Sequence, residues 1–306
     1  MIRKLWKPWF VWRPSQVGRR LIRALRKPAS GFQPLETAWG GSILADPSKN
    51  IGYSIWTTGI YDLAVSEVMA RLVNPGNTVI DAGANIGYMT VLGGTLAGST
   101  GRVISFEPHP DLFPILQKNA ANAATRTSFA KAELHQAALG SQKGTAELVL
   151  PDEMADNDGI ARIAQGDAGS GKTISVPVQT IDDVLGGDGA ALLKIDVEGY
   201  ELPVLKGARR ALEERRITHI LFEDHVGKDS PVVQYLRDVG CRLYSIGWSI
   251  NRPLLEPIEG GKRSTDYEAP NYLATFAEDE AIAQCRPRGW NVLRTSLTRR
   301  SYSKST

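Results

Sequence analysis

Cysteine is scarce in this chain of 306 residues: Cys241 and Cys285 are the only two, and neither sits in a CxxC or Cys/His pattern. That excludes a disulfide framework and a thiolate metal site, and a reducing, cytoplasmic setting is the expectation. Long apolar runs are missing as well. No stretch approaches the roughly 20 residues needed to cross a bilayer. The basic N-terminus lacks the continuous apolar segment and small-residue cleavage site of a secretory signal. Acidic residues are absent from residues 1–35, which hold nine Lys or Arg. The chain's net charge of +3, less the +9 of this leader, leaves −6 for the remainder. The alkaline balance therefore belongs to the leader, and the main domain lacks the basic excess that a nucleic-acid groove requires.

Three regions follow: a basic, aromatic leader over 1–33, a main domain over 34–280, and a polar, basic tail over 281–306 that is expected to be loosely held. In the leader, Trp6, Trp9, Phe10 and Trp12 alternate with bases, and Ser15 is placed to cap a helix whose apolar face is Val17, Leu21, Ala24 and Leu25. Such a helix either docks on its own domain or attaches peripherally to an anionic membrane. Residues 37–56 suggest one or two short strands, and 60–73 a helix. Strands then alternate with helices: strands at 78–81, 102–106, 133–138, 192–196 and 219–223, with helices at 86–97, 110–122 and 203–213. A hairpin pairs 145–150 with 173–178, and short strands at 242–246 and 271–276 close the series. This alternation predicts an α/β fold with a doubly wound, mostly parallel sheet that binds ligands outside the carboxyl ends of its strands.

The sharpest segment is VIDAGANIGY, residues 79–88. An apolar strand ends in Asp81, turns through Gly83 and enters a helix near Gly87. Gly83 lets backbone pass close to a ligand, and Gly87 lets helix and strand pack tightly. Glu107 ends the next strand, where a carboxylate can accept both hydroxyls of a ribose. The pair points to a nucleoside-containing cofactor. A dinucleotide site would need glycine where Asn85 stands, because a side chain there crowds a pyrophosphate. S-Adenosylmethionine carries no pyrophosphate, so this departure favours the sulfonium cofactor over NAD.

At this point the chain resembles the FkbM-type methyltransferases. The runs VIDAGANIGYMT, VISFEPHP, TIDDVL, LLKIDVEGYELPVLKGA and ILFEDH carry the resemblance, which spans about residues 36–276. It implies a seven-stranded, Rossmann-like methyltransferase sheet, S-adenosylmethionine as donor, and commonly O-methylation of a sugar or natural product. It also implies that the turn of Asp81, Gly83, Ala84, Asn85 and Gly87 holds the donor's methionine part. By the same resemblance Glu107 holds the ribose, Pro108 borders the adenine, and Ala138 in the segment 137–140 lies near that ring.

A competing pattern, GDAGSGKT at 166–173, fits the phosphate-binding GxxxxGK[ST] at every position. A working phosphate loop needs a buried strand before it and a helix after it. Here polar residues precede it, and the strand-like ISVPV follows. A flexible hairpin loop accounts for the same composition, and an NTPase is the alternative reading.

Methyl transfer to a hydroxyl needs alignment of donor and acceptor and a base for the departing proton. KIDVEGYE, at the end of a buried strand, puts Lys194, Asp196 and Glu198 on a common side if the strand persists. Glu223, Asp224 and His225 end the following strand. Asp196 is the first candidate for acceptor positioning or general base, supported by Glu198, Glu223 and His225. Glu201 can cap or pair with Lys206 or Arg209, and Glu198 can instead hold the Gly199 turn. His135 and His219 read as packing residues. No spacing is diagnostic of a metal, which stays out of the reading. The leading function is thus a methyltransferase acting on a small-molecule or glycan hydroxyl, beside an NTPase and a non-catalytic cofactor-binding protein.

Overall fold

A computed structural model of the chain describes residues 7–14, 18, 23, 26, 28–125, 128–150, 162–163, 172–259, 270–294 and 297. The elements, in chain order, begin with α1 (Pro8–Val11), β1 (Gln33–Glu36), β2 (Ser42–Ala45), α2 (Asn50–Thr58) and α3 (Leu63–Leu72). The alternating units follow as β3 (Thr78–Ala82), α4 (Tyr88–Ala97), β4 (Arg102–Phe106), α5 (Phe113–Ala124) and β5 (Lys131–His135). An inserted small sheet comprises β6 (Ala138–Leu139), β7 (Gly144–Leu150), β8 (Arg162–Ile163) and β9 (Lys172–Gln179). The second half runs α6 (Ile181–Leu185), β10 (Ala190–Ile195), α7 (Glu201–Lys206), α8 (Arg209–Glu213) and β11 (Ile217–Glu223). It ends with α9 (Pro231–Asp238), β12 (Arg242–Trp248), β13 (Pro253–Pro257), β14 (Asn271–Thr275) and α10 (Glu278–Cys285).

The main sheet has the order β13-β12-β14-β11-β10-β3-β4-β5. Strands β11, β10, β3, β4 and β5 run parallel, and β14 is antiparallel to both β11 and β12. The seven expected strands are present, and β13 adds an eighth by pairing antiparallel with β12. Successive residues of the central strands go to opposite faces. Val79, Val103, Leu192 and Leu221 enter one core, whereas Ile80, Ile104, Leu193 and Ile220 enter the other. Both faces are therefore buried, which is why these strands read as continuous apolar runs. From β3 the chain builds outward to β4 and β5, then returns to β10 on the other side. The carboxyl ends of β3 and β10 thus flank the switch point where open α/β sheets bind ligands.

Several expectations need correction. The region 37–56 contains β2, but also the helix α2, whose Ile51 and Ile55 are one turn apart and pack on the core. The helix expected from Pro110 starts at Phe113, with Pro114 in its first turn. The strand expected at 133–138 is two strands in different sheets, β5 and β6. The helix at 203–213 is split into α7 and α8, because Asp182 caps a new helix start: its carboxylate accepts from the backbone N–H of Arg210 at 2.9 Å and of Ala211 at 2.8 Å. The hairpin was legible in outline, with β7 pairing antiparallel to β9 from Gly144↔Val178 to Leu150↔Lys172.

The tail is not loose over its first part. Helix α10 packs on α3, and Trp290, Val292 and Leu293 are buried. The anchor is an ion pair inside α3, Arg71 to Glu67 at 2.7 Å, in which both side chains are buried. The Arg71 guanidinium also donates to the carbonyls of Gln284, Cys285, Pro287 and Gly289, and Glu67 accepts from the Val292 N–H at 3.0 Å. Arg71→Met should therefore destabilise the protein by about 3 kcal/mol, because it strands a buried carboxylate and four carbonyls. Chemical denaturation followed by tryptophan fluorescence checks this, and an unchanged midpoint would contradict it.

The described part of the leader docks on its own domain. Trp9 packs against Trp248 with ring centroids 6.1 Å apart, and the Trp12 indole donates to the Ile250 carbonyl at 2.8 Å. The helix expected from Ser15, with Val17, Leu21, Ala24 and Leu25, falls outside the described residues. No helix among the described residues is long and apolar enough to cross a membrane.

Candidate active site

A cavity opens at the carboxyl ends of β3, β4, β10 and β11, and its wall includes Asp81, Gly83, Glu107, Asp196 and Glu223. The turn after β3 is held against β4 by the N–H groups of Gly83 and Ala84, which both donate to the Phe106 carbonyl. Gly83 has φ +80°, and a Cβ there would fall 1.8 Å from the Asp196 carbonyl oxygen. Glycine is thus required because the ends of β3 and β10 meet at this point. Asn85 is also left-handed, at φ 51°, a conformation asparagine tolerates better than most residues. Ala84, Asn85, Pro108 and Ala138 all lie on the cavity wall.

Gly87 does not line the cavity. It starts α4 at φ +88°, and a Cβ there would meet the Leu116 side chain of α5 at 2.6 Å. Its role is to let two helices pack, rather than a helix and a strand.

Glu107 is buried and already holds the turn together. One carboxylate oxygen accepts from the Asn85 N–H at 2.7 Å and the other from the His109 N–H at 2.8 Å. A carboxylate oxygen has a second lone-pair direction, so both oxygens can still accept a hydroxyl. Burial, with Asp81 and Asp196 nearby, pushes its pKa up to about 7 against the pull of the two backbone donors. Asp81 is more deeply buried and accepts from the Thr90 hydroxyl at 2.6 Å, which in turn meets the Ser105 hydroxyl at 2.8 Å. Burial raises its pKa, and the Lys194 ammonium opposes that shift.

The strand β10 ends at Ile195, one residue short of Asp196, and Glu198 sits in a left-handed turn at φ 51°. Lys194, Asp196 and Glu198 nevertheless all reach the wall. The buried Lys194 ammonium lies 2.6 Å from Asp196. Burial works against its charge, but Asp196, Asp81 and Asp62 together hold its pKa above the ordinary value. Glu223, at the end of β11, has its pKa pushed up to about 7 by burial and by Asp196. Glu198 is raised by the same two causes. A nonglycine residue in a strained conformation beside shifted carboxyls is a common mark of a functional site.

Other candidates lie off the cavity wall. His225 does not line the cavity; its side chain is 72% exposed and its Nε2 lies 2.9 Å from Glu223. Asp224 caps the following turn by accepting from the Val226 and Gly227 N–H groups. Glu201, not Glu198, holds the Gly199 N–H, at 3.0 Å. His219 is buried against the Thr275 hydroxyl at 2.9 Å, and His135 stacks on Phe106 with centroids 4.7 Å apart. Among the described residues, no group of three or more His, Cys, Asp or Glu is placed to hold a metal ion. In the phosphate-loop pattern, residues 166–171 lie outside the described residues, and Lys172 and Thr173 open the strand β9. The helix that a phosphate loop needs after its lysine is therefore replaced by a strand, against the NTPase reading.

The cavity also takes Asn50, Ile51 and Tyr61 from α2 and the segment after it, Tyr200 from the turn after β10, and Leu148 and Ile163 from the small sheet. None of these was singled out from the sequence. Asp62 completes the surroundings of Lys194 while capping α3 through the Val65 N–H at 3.1 Å and accepting from Asn271 at 3.0 Å. The D-x-x-V spacing before an apolar helix signals the cap, but nothing local signals its place near Lys194.

A methyl donor of the sulfonium type fits these residues. The wall holds five carboxylates, Asp81, Glu107, Asp196, Glu198 and Glu223, against one ammonium, Lys194, among the described residues. That imbalance suits a cationic ligand, whose charge would draw the raised carboxyls toward their ionised form, and Glu107 offers the two acceptor oxygens that a ribose diol requires.

The family model described as the methyltransferase FkbM domain matches residues 81–243. The chain is 31% identical over 183 residues to the hexuronic acid methyltransferase AglP of Haloferax volcanii, covering 57% of this chain and 68% of that protein. Among solved structures, it is similar to an FkbM methyltransferase from Methylobacillus flagellatus, with 16% identity and a TM-score of 0.41 over 87% of this chain and 60% of that one. Another is Aeropyrum pernix fibrillarin with natively bound S-adenosyl-L-methionine, at 13% identity and a TM-score of 0.38, covering 69% of this chain and 73% of that one.

Proposed function

The chain belongs to the FkbM methyltransferase family, and on that footing we propose that it methylates a hydroxyl group of a sugar or glycolipid. S-Adenosylmethionine is the donor; when bound, it supplies a methyl group activated by a sulfonium sulfur. The observation that carries the reading is the convergence of Glu107 with Asp196 and Glu223 on one cavity. The sugar acceptor is supported by the hexuronic acid methyltransferase relative.

Each residue then has a task. Glu107 accepts the ribose hydroxyls, and the turn 81–85 brings backbone close to the donor's methionine part. Pro108 and Ala138, with the apolar Leu139, Leu148 and Ile163, wall the adenine side and keep water out. Asp196, fixed by the Lys194 ammonium through one oxygen, accepts with the other from a neighbouring hydroxyl of the acceptor and so orients the ring. Glu223 takes up the hydroxyl proton on a carboxylate oxygen. A base whose pKa lies near 7 suits this step at neutral pH. The His225 imidazole, beside Glu223 and open to solvent, passes that proton out.

A methyl-transfer assay with isotopically labelled donor and a panel of sugars and glycolipids tests the proposal. Label recovered as a sugar methyl ether supports it, whereas label found only on amines contradicts it. The pH dependence is specific. Glu223 accepts a proton only as the carboxylate, so kcat/KM should rise with pH and reach half its plateau near pH 7. Glu223→Gln should flatten that limb. A limb that persists in the variant would assign the titration to another group.

A further inference from the structure

We propose that the acceptor ring is uncharged, and that the cavity discriminates against uronates. This rests on the reading of the acceptor as a sugar and concerns the same cavity. Away from the donor-side turns, the polar part of the wall includes Asp196, Glu198 and Glu223 with Asn50, Tyr61 and Tyr200. Recognition of an acceptor carboxylate calls for an arginine fork or a lysine facing it. Among the described residues, Lys194 is the one lysine or arginine on this wall. Its ammonium is buried and taken up by Asp196 at 2.6 Å, with Asp81 on the other strand end. Beside Glu223 stands the exposed His225 imidazole at 2.9 Å, which does not reach the wall.

A uronate placed with a hydroxyl at Asp196 would therefore bring a further negative charge among three carboxylates. Glu198 is exposed and Asp196 and Glu223 are half-buried, but at separations well inside a Debye length such repulsion persists and sets specificity. Neutral hydroxyls do the reverse, since each can donate to a carboxylate oxygen. The aromatic side chains suit a neutral ring as well. Tyr61 is held edge-on by Tyr88 at 5.7 Å, a fixed apolar surface against which the carbon face of a pyranose can pack.

The test uses full-length protein, S-adenosylmethionine and matched methyl glycosides: glucoside and glucuronide, galactoside and galacturonide, mannoside and mannuronide. Release of S-adenosylhomocysteine gives kcat/KM. In every configuration turned over, the neutral sugar should exceed its uronate partner by at least about tenfold. Saturation-transfer NMR on protein holding S-adenosylhomocysteine reads occupancy instead of turnover and should rank the pairs in the same order. Glu198→Gln should narrow the gap in both measurements. Equal or better use of a uronate would overturn the inference while leaving the sugar reading intact. If none of the six is bound or methylated, the sugar reading fails, and the inference fails with it.

Discussion

Glu107→Ala should weaken binding of S-adenosylhomocysteine by on the order of 10³-fold, because two hydrogen bonds from ribose hydroxyls to a buried carboxylate are lost together. The carboxylate is in place before any ligand arrives, fixed by the Asn85 and His109 N–H groups. That preorganisation is why the loss should be large. The same two N–H groups would lose their partner in the variant, so part of the effect comes through the turn itself. Glu107→Gln separates these contributions, since the amide keeps the side chain's shape and one acceptor oxygen. It should fall between wild type and alanine. Isothermal titration calorimetry reads all three, with a thermal melt to establish that the variants are folded. An affinity for Glu107→Ala within about threefold of wild type would remove Glu107 from the site.

The second large effect concerns turnover. Glu223→Gln and Asp196→Asn should each lower kcat by about 10²- to 10⁴-fold, with donor affinity largely retained. The two differ in what else changes. Glu223→Gln removes the group that takes the proton, so its residual rate should lose the limb near pH 7. Asp196→Asn leaves Glu223 in place but removes a charge that helps raise it, so the limb should survive at lower pH while the acceptor KM rises. Asp196→Ala goes further, because it also removes the oxygen to which the buried Lys194 ammonium donates, whereas asparagine keeps one acceptor there. Full activity in Asp196→Ala would refute its assignment to the acceptor hydroxyl.

The part of the cavity wall around the turn after β3 was legible in the sequence, and the rest only in part. Asp81, Gly83, Asn85 and Glu107 lie at the ends of two successive parallel strands, so a short stretch of chain defines them and topology brings them together. The same strand-end reasoning places Asp196, after a strand flanking the switch point, and Glu223, at the end of the neighbouring strand β11, on the wall. It misplaced Gly87, because the sequence shows that a glycine is needed there but not that its neighbour is Leu116 of α5. Asn50, Tyr61 and Tyr200 reach the cavity through packing between distant segments, and no periodicity records that. The tail was misjudged for a related reason. Its polar composition hides Trp290, Val292 and Leu293, and the ion pair that anchors it lies in α3, more than 200 residues earlier. The phosphate-loop pattern shows the reverse: every residue matches, yet Lys172 opens a strand.

The central claim is that one cavity, at the carboxyl ends of β3, β4, β10 and β11, holds both the donor and the groups that act on the acceptor. A crystal structure of the protein with S-adenosylhomocysteine tests it most directly. The expected result is a ribose within hydrogen-bonding distance of Glu107 and a sulfur directed toward Asp196 and Glu223. Ligand bound elsewhere, or bound in this cavity with its sulfur facing away from those two carboxylates, would contradict it.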